Sequence, residues 1–280
     1  MPYVEVEPGV QLFYEVRGNP RGKTILFVHG WTMSHDVWEY QVSELAQDYH
    51  TVVLDLRGHG DSDKPWGSYS YDVFAKDIRT AVQKLGLGKF TFVGWSLGGA
   101  IGTLYAARHA SELNGLVSVD GAVPYFVRTS AIPAGPTKDE VNRWIDQESS
   151  QRPEFTKQFV DSMFYNSVGA ETKLWIWDIC MKASWNAAIQ SLITLRDTDL
   201  VKLLPNVKVP TAVFHGAHDT VVPYEFGQFT AGKISNAKLV PFHRSGHVPF
   251  IEEKQKFNQE LTRFIEQQPR QRPKSRWFRR

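Results

Sequence analysis

The sequence predicts an α/β fold: a mostly parallel central sheet flanked by helices, interrupted by a helical cap insertion. Three observations carry this. Thr24–Val28 (TILFV) and similar short runs are wholly apolar, as a strand covered on both faces of a parallel sheet must be. These runs alternate with amphipathic stretches of helical length, which is the pattern of right-handed crossovers between parallel strands. The alternation stops after Asp120 and resumes at Pro210, and the roughly ninety residues between are helical in spacing and dense in aromatics.

Taken in order, Tyr3–Pro8 and Val10–Val16 meet at Pro8-Gly9 and read as an opening hairpin. Strand Thr24–Val28 is followed by helical spacing over Asp36–Tyr49, strand Thr51–Leu56, helix Tyr71–Leu85, strand Phe90–Val93, helix Gly98–His109 and strand Leu116–Val119. In the insertion, Thr137 with Glu140 three positions on predicts a capping box that opens a helix through Ile145. Further helical stretches cover Phe155–Phe164, Thr172–Ala183 and Ser184–Leu195. Strand Pro210–Phe214, helix Tyr224–Ile234, strand Lys238–Phe242 and a long helix Pro249–Gln267 complete the order. The division expected is a core over 1–122 and 205–268, a helical cap over 123–204, and a basic tail over 269–280 that is disordered.

The bulk properties narrow the function classes. The chain has 280 residues and a net charge of +2, but Arg270–Arg280 alone holds six of the 32 basic residues and no acid. The rest therefore carries 26 basic against 30 acidic residues, a sign that does not suit nucleic acid or an acidic membrane surface. One cysteine, Cys180, forms no internal disulfide and fits a reducing compartment. No apolar run approaches a membrane span and the start lacks a signal-peptide pattern, so the expected location is cytoplasmic. Gly18–Thr24 (GNPRGKT) is one residue short of a phosphate loop and precedes a strand rather than a helix, so nucleotide binding is not expected.

Gly94-Trp95-Ser96-Leu97-Gly98 matches G-x-S-x-G between a buried strand and a small-residue helix (GGAIGTLYAA). A sharp strand-to-helix turn at a serine needs small neighbours, and Gly94, Gly98, Gly99 and Ala100 supply them. Serine is a poor nucleophile unless a base takes its proton, which calls for a histidine and an acid to orient it. Of nine histidines, His247 lies in the loop after the last strand, where the order nucleophile, acid, histidine requires it; His243, His109 and His50 read as structural or surface residues. Asp219, just beyond the strand PTAVF, is the preferred acid, and Asp120, also past a strand end, is the rival. His215 and His218 stand beside Asp219, but no further cluster at ligand spacing accompanies them and no metal is expected. The oxyanion donors expected are the backbone N–H groups of Leu97 and Trp31. Trp31, Trp95, Trp144 and Trp185 are the expected substrate-binding side chains, and the turn Gly58–Asp63 is expected to shape the rim of the site.

Together, HGW at 29–31, DLRGHGDSDKP at 55–65, GWSLGG at 94–99, GAHDTVVP at 216–223 and SGHVPF at 245–250 resemble the α/β-hydrolase fold family over residues 3–268. Within it, HGWTMSHDVWEYQ is similar to bacterial arylesterases and cofactor-free haloperoxidases, also called perhydrolases, although Thr32 and Leu97 stand where those haloperoxidases usually carry Pro and Met. The resemblance implies a serine hydrolase of carboxylic esters with no cofactor, acting on a small-molecule ester or lactone through Ser96, His247 and Asp219. Perhydrolysis and lactonase activity are alternatives within the family, and a non-catalytic ligand receptor is an alternative outside enzymology.

Overall fold

The computed structural model describes residues 2–268, and the expectation of a disordered basic tail at 269–280 falls outside them. Eight strands form one sheet: β1 (Tyr3–Glu7), β2 (Val10–Gly18), β3 (Thr24–Val28), β4 (His50–Leu54), β5 (Phe90–Trp95), β6 (Leu113–Val119), β7 (Thr211–Gly216) and β8 (Ala237–Phe242). Their spatial order is β1-β2-β4-β3-β5-β6-β7-β8. The hairpin β1–β2 is antiparallel and β2 joins β4 antiparallel, while every pair from β4 to β8 is parallel. The core helices are α1 (Glu39–Leu45), α2 (Tyr71–Leu85) and α3 (Leu97–Arg108). The insertion holds α4 (Lys138–Ser150), α5 (Arg152–Ser162), α6 (Ala170–Met181) and α7 (Trp185–Asp197). After it come α8 (Tyr224–Lys233), α9 (Pro249–Glu252) and α10 (Lys254–Glu266).

The central strands are apolar at every position because both of their faces are covered. Leu26 and Val28 of β3 pack with Phe74 and Ile78 of α2 and Ile101 and Leu104 of α3. Ile25 and Phe27, pointing the other way, pack with Trp38, with Leu45 of α1 and with Phe257 and Leu261 of α10. Each such buried side chain contributes about 1.5–3 kcal/mol relative to exposure, and the two layers clamp the sheet between them. The capping box stands as predicted: Thr137 Oγ1 accepts the Glu140 N–H and Glu140 returns a carboxylate to the Thr137 N–H.

Two elements differ from expectation. The stretch 36–49 begins as a 3-10 turn, His35–Trp38, because the Ser34 side chain caps it by accepting the Asp36 N–H. The expected helix 249–267 is broken at Glu253, whose backbone leaves the helical region (φ −122, ψ 44). The break aims two adjacent carboxylates at the loop that carries His247. Glu253 accepts from the Arg244 N–H and the Ser245 hydroxyl, and Glu252 accepts from the Gly246 N–H.

Candidate active site

The C-terminal ends of β3, β5, β6, β7 and β8 meet at one edge of the sheet, below the helical insertion. Among the described residues three non-glycine residues have positive φ: Thr32 (φ 58), Ser96 (φ 54) and Asp120 (φ 42). Each follows the end of a different central strand at this edge. Such backbone costs of order 1–3 kcal/mol per residue, and surrounding structure must hold it in place. At Ser96 the hold is visible. Its N–H donates to Val119 O, and a Cβ on Gly98 would come within 2.5 Å of Val28 O, so only glycine lets α3 start against β3. The turn lifts Ser96 out of the strand, leaving it 8% exposed and facing a cavity.

The structure brings His247 and Asp219 together. His247 Nδ1 lies 2.7 Å from Asp219 Oδ2, and Asp219 Oδ1 accepts the Val221 and Val222 N–H groups at 2.8 and 2.9 Å. A carboxylate can only accept, so Nδ1 carries the hydrogen and Nε2 is left with a lone pair. That Nε2 is buried with no hydrogen-bond partner among the described residues. Burial would raise the Asp219 carboxyl, but the His247 imidazole, with smaller contributions from His215 and the Val222 amide, outweighs it and holds the group below the ordinary carboxylate range. His247 is anchored from two sides: its N–H donates to Met163 O at 2.7 Å, and its carbonyl accepts the Trp95 indole N–H at 2.8 Å. Trp95 directly precedes Ser96, so one side chain ties the serine turn to the histidine loop.

Asp120 does not reach His247 in any hydrogen bond; its Oδ1 accepts the Gly216 N–H at 2.7 Å. The Trp31 and Leu97 amides donate to no protein acceptor among the described residues, and Leu97 is the first residue of α3, where the helix dipole favours negative charge. His215, Asp120 and Asp219 place donor atoms within 4.8 Å of one another. They make a poor metal site: His215 Nε2 spends its hydrogen on Val222 O at 2.8 Å, and Asp219 already holds three N–H donors.

The cavity over Ser96 has a volume of about 290 Å³. Trp31 and Trp144 line it. The Trp31 indole is fixed by donating to Ala188 O at 2.8 Å and by edge contact with Phe159. Two expected wall residues are corrected. Trp95 is buried on the far side of β5 against Phe250 and the His247 ring, because alternate residues of a strand point to opposite faces. Trp185 opens α7 on the outer surface, 46% exposed and stacked on Trp66, because the inward face of that helix is taken by Leu192 and Leu195. The Gly58–Asp63 turn is corrected as well: it does not line the cavity but lies beneath α7, with Gly58 O accepting the Ser184 N–H. Missed by sequence reasoning were Gln147, Gln158, Phe155 and Phe159. The spacing held the signal, since Phe155, Gln158, Phe159 and Ser162 recur at i, i+3, i+4 and i+7 on one face of α5.

Comparison with known proteins agrees with this architecture. The family model described as alpha/beta hydrolase fold matches residues 23–254. The AB hydrolase superfamily protein YisY of Bacillus subtilis (strain 168) is 36% identical over 264 residues, 94% of this chain and 98% of its own length. The bifunctional esterase/perhydrolase DCH of Acinetobacter calcoaceticus is 30% identical, over 95% of this chain and 99% of its own length. An esterase from Exiguobacterium antarcticum superposes with a TM-score of 0.91 at 33% identity, covering 94% of this chain and 98% of that one. The chain belongs to the α/β-hydrolase fold family.

Proposed function

We propose that this hydrolase cleaves uncharged carboxylic esters through an acyl-enzyme on Ser96. The observation that carries the reading is the buried His247 Nδ1 to Asp219 Oδ2 bond of 2.7 Å, which fixes the imidazole with its Nε2 lone pair unspent. In the first step Ser96 Oγ attacks the ester carbonyl while its proton passes to His247 Nε2. The carbonyl oxygen, now negative, is received by the Trp31 and Leu97 amides. As the tetrahedral adduct collapses, the C–O bond to the alcohol breaks and His247 returns the proton to the leaving oxygen. Water then repeats the sequence on the acyl-enzyme and releases the acid. Asp219 stays ionised throughout and stabilises the imidazolium. None of the described residues lining the cavity is charged, so a charged acyl chain would be desolvated there without a partner among them.

Ser96→Ala is expected to abolish ester turnover and to prevent covalent labelling by an aryl phosphonate, checked by intact-mass spectrometry. Full turnover in that variant would end the serine mechanism. A second reading, perhydrolysis, is favoured by the name of the Acinetobacter calcoaceticus relative. There hydrogen peroxide takes the place of water at the acyl-enzyme; assays with peroxide, acetate and a halogenation dye separate the two.

A further inference from the structure

Asp120 has no part in the mechanism above, yet it is built into the site with unusual care. It follows the last residue of β6 with positive φ, a conformation uncommon outside glycine that Asp and Asn adopt more readily than other side chains. Its N–H donates to Phe214 O and its Oδ1 accepts from the Gly216 N–H, so both bonds tie it to β7 just short of Asp219. Its Oδ2 is buried and finds no donor among the described residues. Treated as an anion, that oxygen is a buried charge without a protein donor among the described residues. Treated as a carboxylic acid, it becomes a donor, and an oxygen of the neighbouring Asp219 carboxylate lies within 4.8 Å of one of its own.

We infer that Asp120 is a neutral carboxylic acid that donates its proton in a hydrogen bond to Asp219, and so positions the triad acid while leaving a single negative charge behind His247. This rests on the serine-hydrolase reading above. The surrounding groups are consistent with it. Besides Asp219, Asp120 faces His215 of β7, whose Nε2 lies 3.8 Å from Oδ1 and whose hydrogen is spent on Val222 O, and the charge of Glu252 of α9 adds a smaller negative field. His247 is engaged with Asp219 and not with Asp120. Among the described residues no Lys or Arg forms an ion pair with Asp120 that would compensate a second anion. Burial first, and the neighbouring Asp219 charge second, push the Asp120 carboxyl well above the ordinary carboxylate range, in the opposite direction to Asp219.

The consequence is a setting of the base. A second anion behind the imidazole would favour the imidazolium over the neutral ring, and an imidazolium cannot accept the Ser96 proton. A neutral Asp120 whose O–H also drains charge from Asp219 extends the working range toward acid. During turnover the Asp120 proton is not transferred; the mobile proton travels between Ser96, His247 and the leaving alcohol.

The test is the pH dependence of kcat/KM for an aryl acetate, normalised by phosphonate titration of active sites so that only folded, competent enzyme is counted. Asp120→Ala removes the donor and is expected to move the acid limb up by up to about one pH unit and to lower kcat about tenfold, with little change in KM. Asp120→Asn keeps an acceptor for the Gly216 N–H and a donor toward Asp219, and is expected to bring the acid limb back to its wild-type position and to recover most of kcat. An acid limb lowered by about one unit in Asp120→Asn would overturn the proposal, because it would mean that an anion had been removed. A wild-type profile in Asp120→Ala would also overturn it. If wild-type protein takes no phosphonate on Ser96, the serine-hydrolase reading itself fails, an outcome distinct from a labelled enzyme whose profile moves the wrong way.

Discussion

Asp219 occupies both oxygens within its own neighbourhood: one orients His247 and the other accepts two amides of the turn that follows it. The second set of bonds holds the carboxylate still, so the imidazole it grips has one orientation and one tautomer. Asp219→Ala removes that grip and leaves His247 Nδ1 buried without an acceptor. The expected effect is a loss of about four orders of magnitude in kcat with KM changed only a few-fold, measured on an aryl acetate. A loss of less than tenfold would show that the imidazole is oriented by something else. At this scale Ser96, Asp219 and His247 could be named as candidates from the sequence because the chemistry demands particular residue types at strand ends, and the structure brings His247 against Asp219 and sets Ser96 at the cavity. Trp95 was not, though strand alternation held the clue: the residue before the serine turn faces away from the cavity. The structural setting of Asp120 was hidden as well, since its bond to Gly216 joins residues 96 apart in the chain.

Among elements, the insertion decides what the serine can reach. Helices α4, α5 and α7 present Trp144 and Gln147, Phe155 and Phe159, and Leu192 and Leu195 to the same cavity. Their presence as helices was legible from spacing and from the capping box at Thr137. Which face of each looks inward was not, because the insertion is aromatic on several faces and only tertiary packing chooses between them. Trp185 shows the error that results: an aromatic residue at a helix start was taken for a wall and stands outside against Trp66. Trp144 is the opposite case, half-buried, in contact with Phe126 and lining the cavity. Trp144→Ala would open that wall without touching the serine turn. The expected outcome is a rise of about tenfold in the ratio of kcat/KM for a butyrate over an acetate ester, since a longer acyl chain gains room and buried contact. An unchanged ratio would place the acyl chain elsewhere in the cavity.

Across the whole molecule, the order of strands and crossovers follows from the alternation of apolar runs and amphipathic helices, and that part of the fold was readable throughout the core. The electrostatic character of the interior was not, because burial of a titratable group depends on what the fold lays over it. His59 illustrates this. Its turn was read as a polar rim, yet the residue lies fully buried beside His29 and Phe74, with Nδ1 donating to Arg57 O. Burial, with a smaller contribution from the nearby His29, pushes its pKa down from 6.5 to about 3. The folded state therefore keeps His59 neutral at pH values where the unfolded chain protonates it. Between about pH 6.5 and pH 3 the unfolded state binds the extra proton, so this group's contribution favours unfolding increasingly as pH falls through that window. Other buried groups act in both directions, Glu148 with a pKa raised to about 7 being one that gains stability as pH falls, so the prediction concerns a difference between proteins. In urea unfolding at pH 7 and pH 5, wild-type protein is expected to lose about 2 kcal/mol more on acidification than His59→Asn, which has no imidazole to protonate. Equal losses in the two proteins would mean that His59 takes up its proton in the folded state, and that the interior beneath α7 admits a charge.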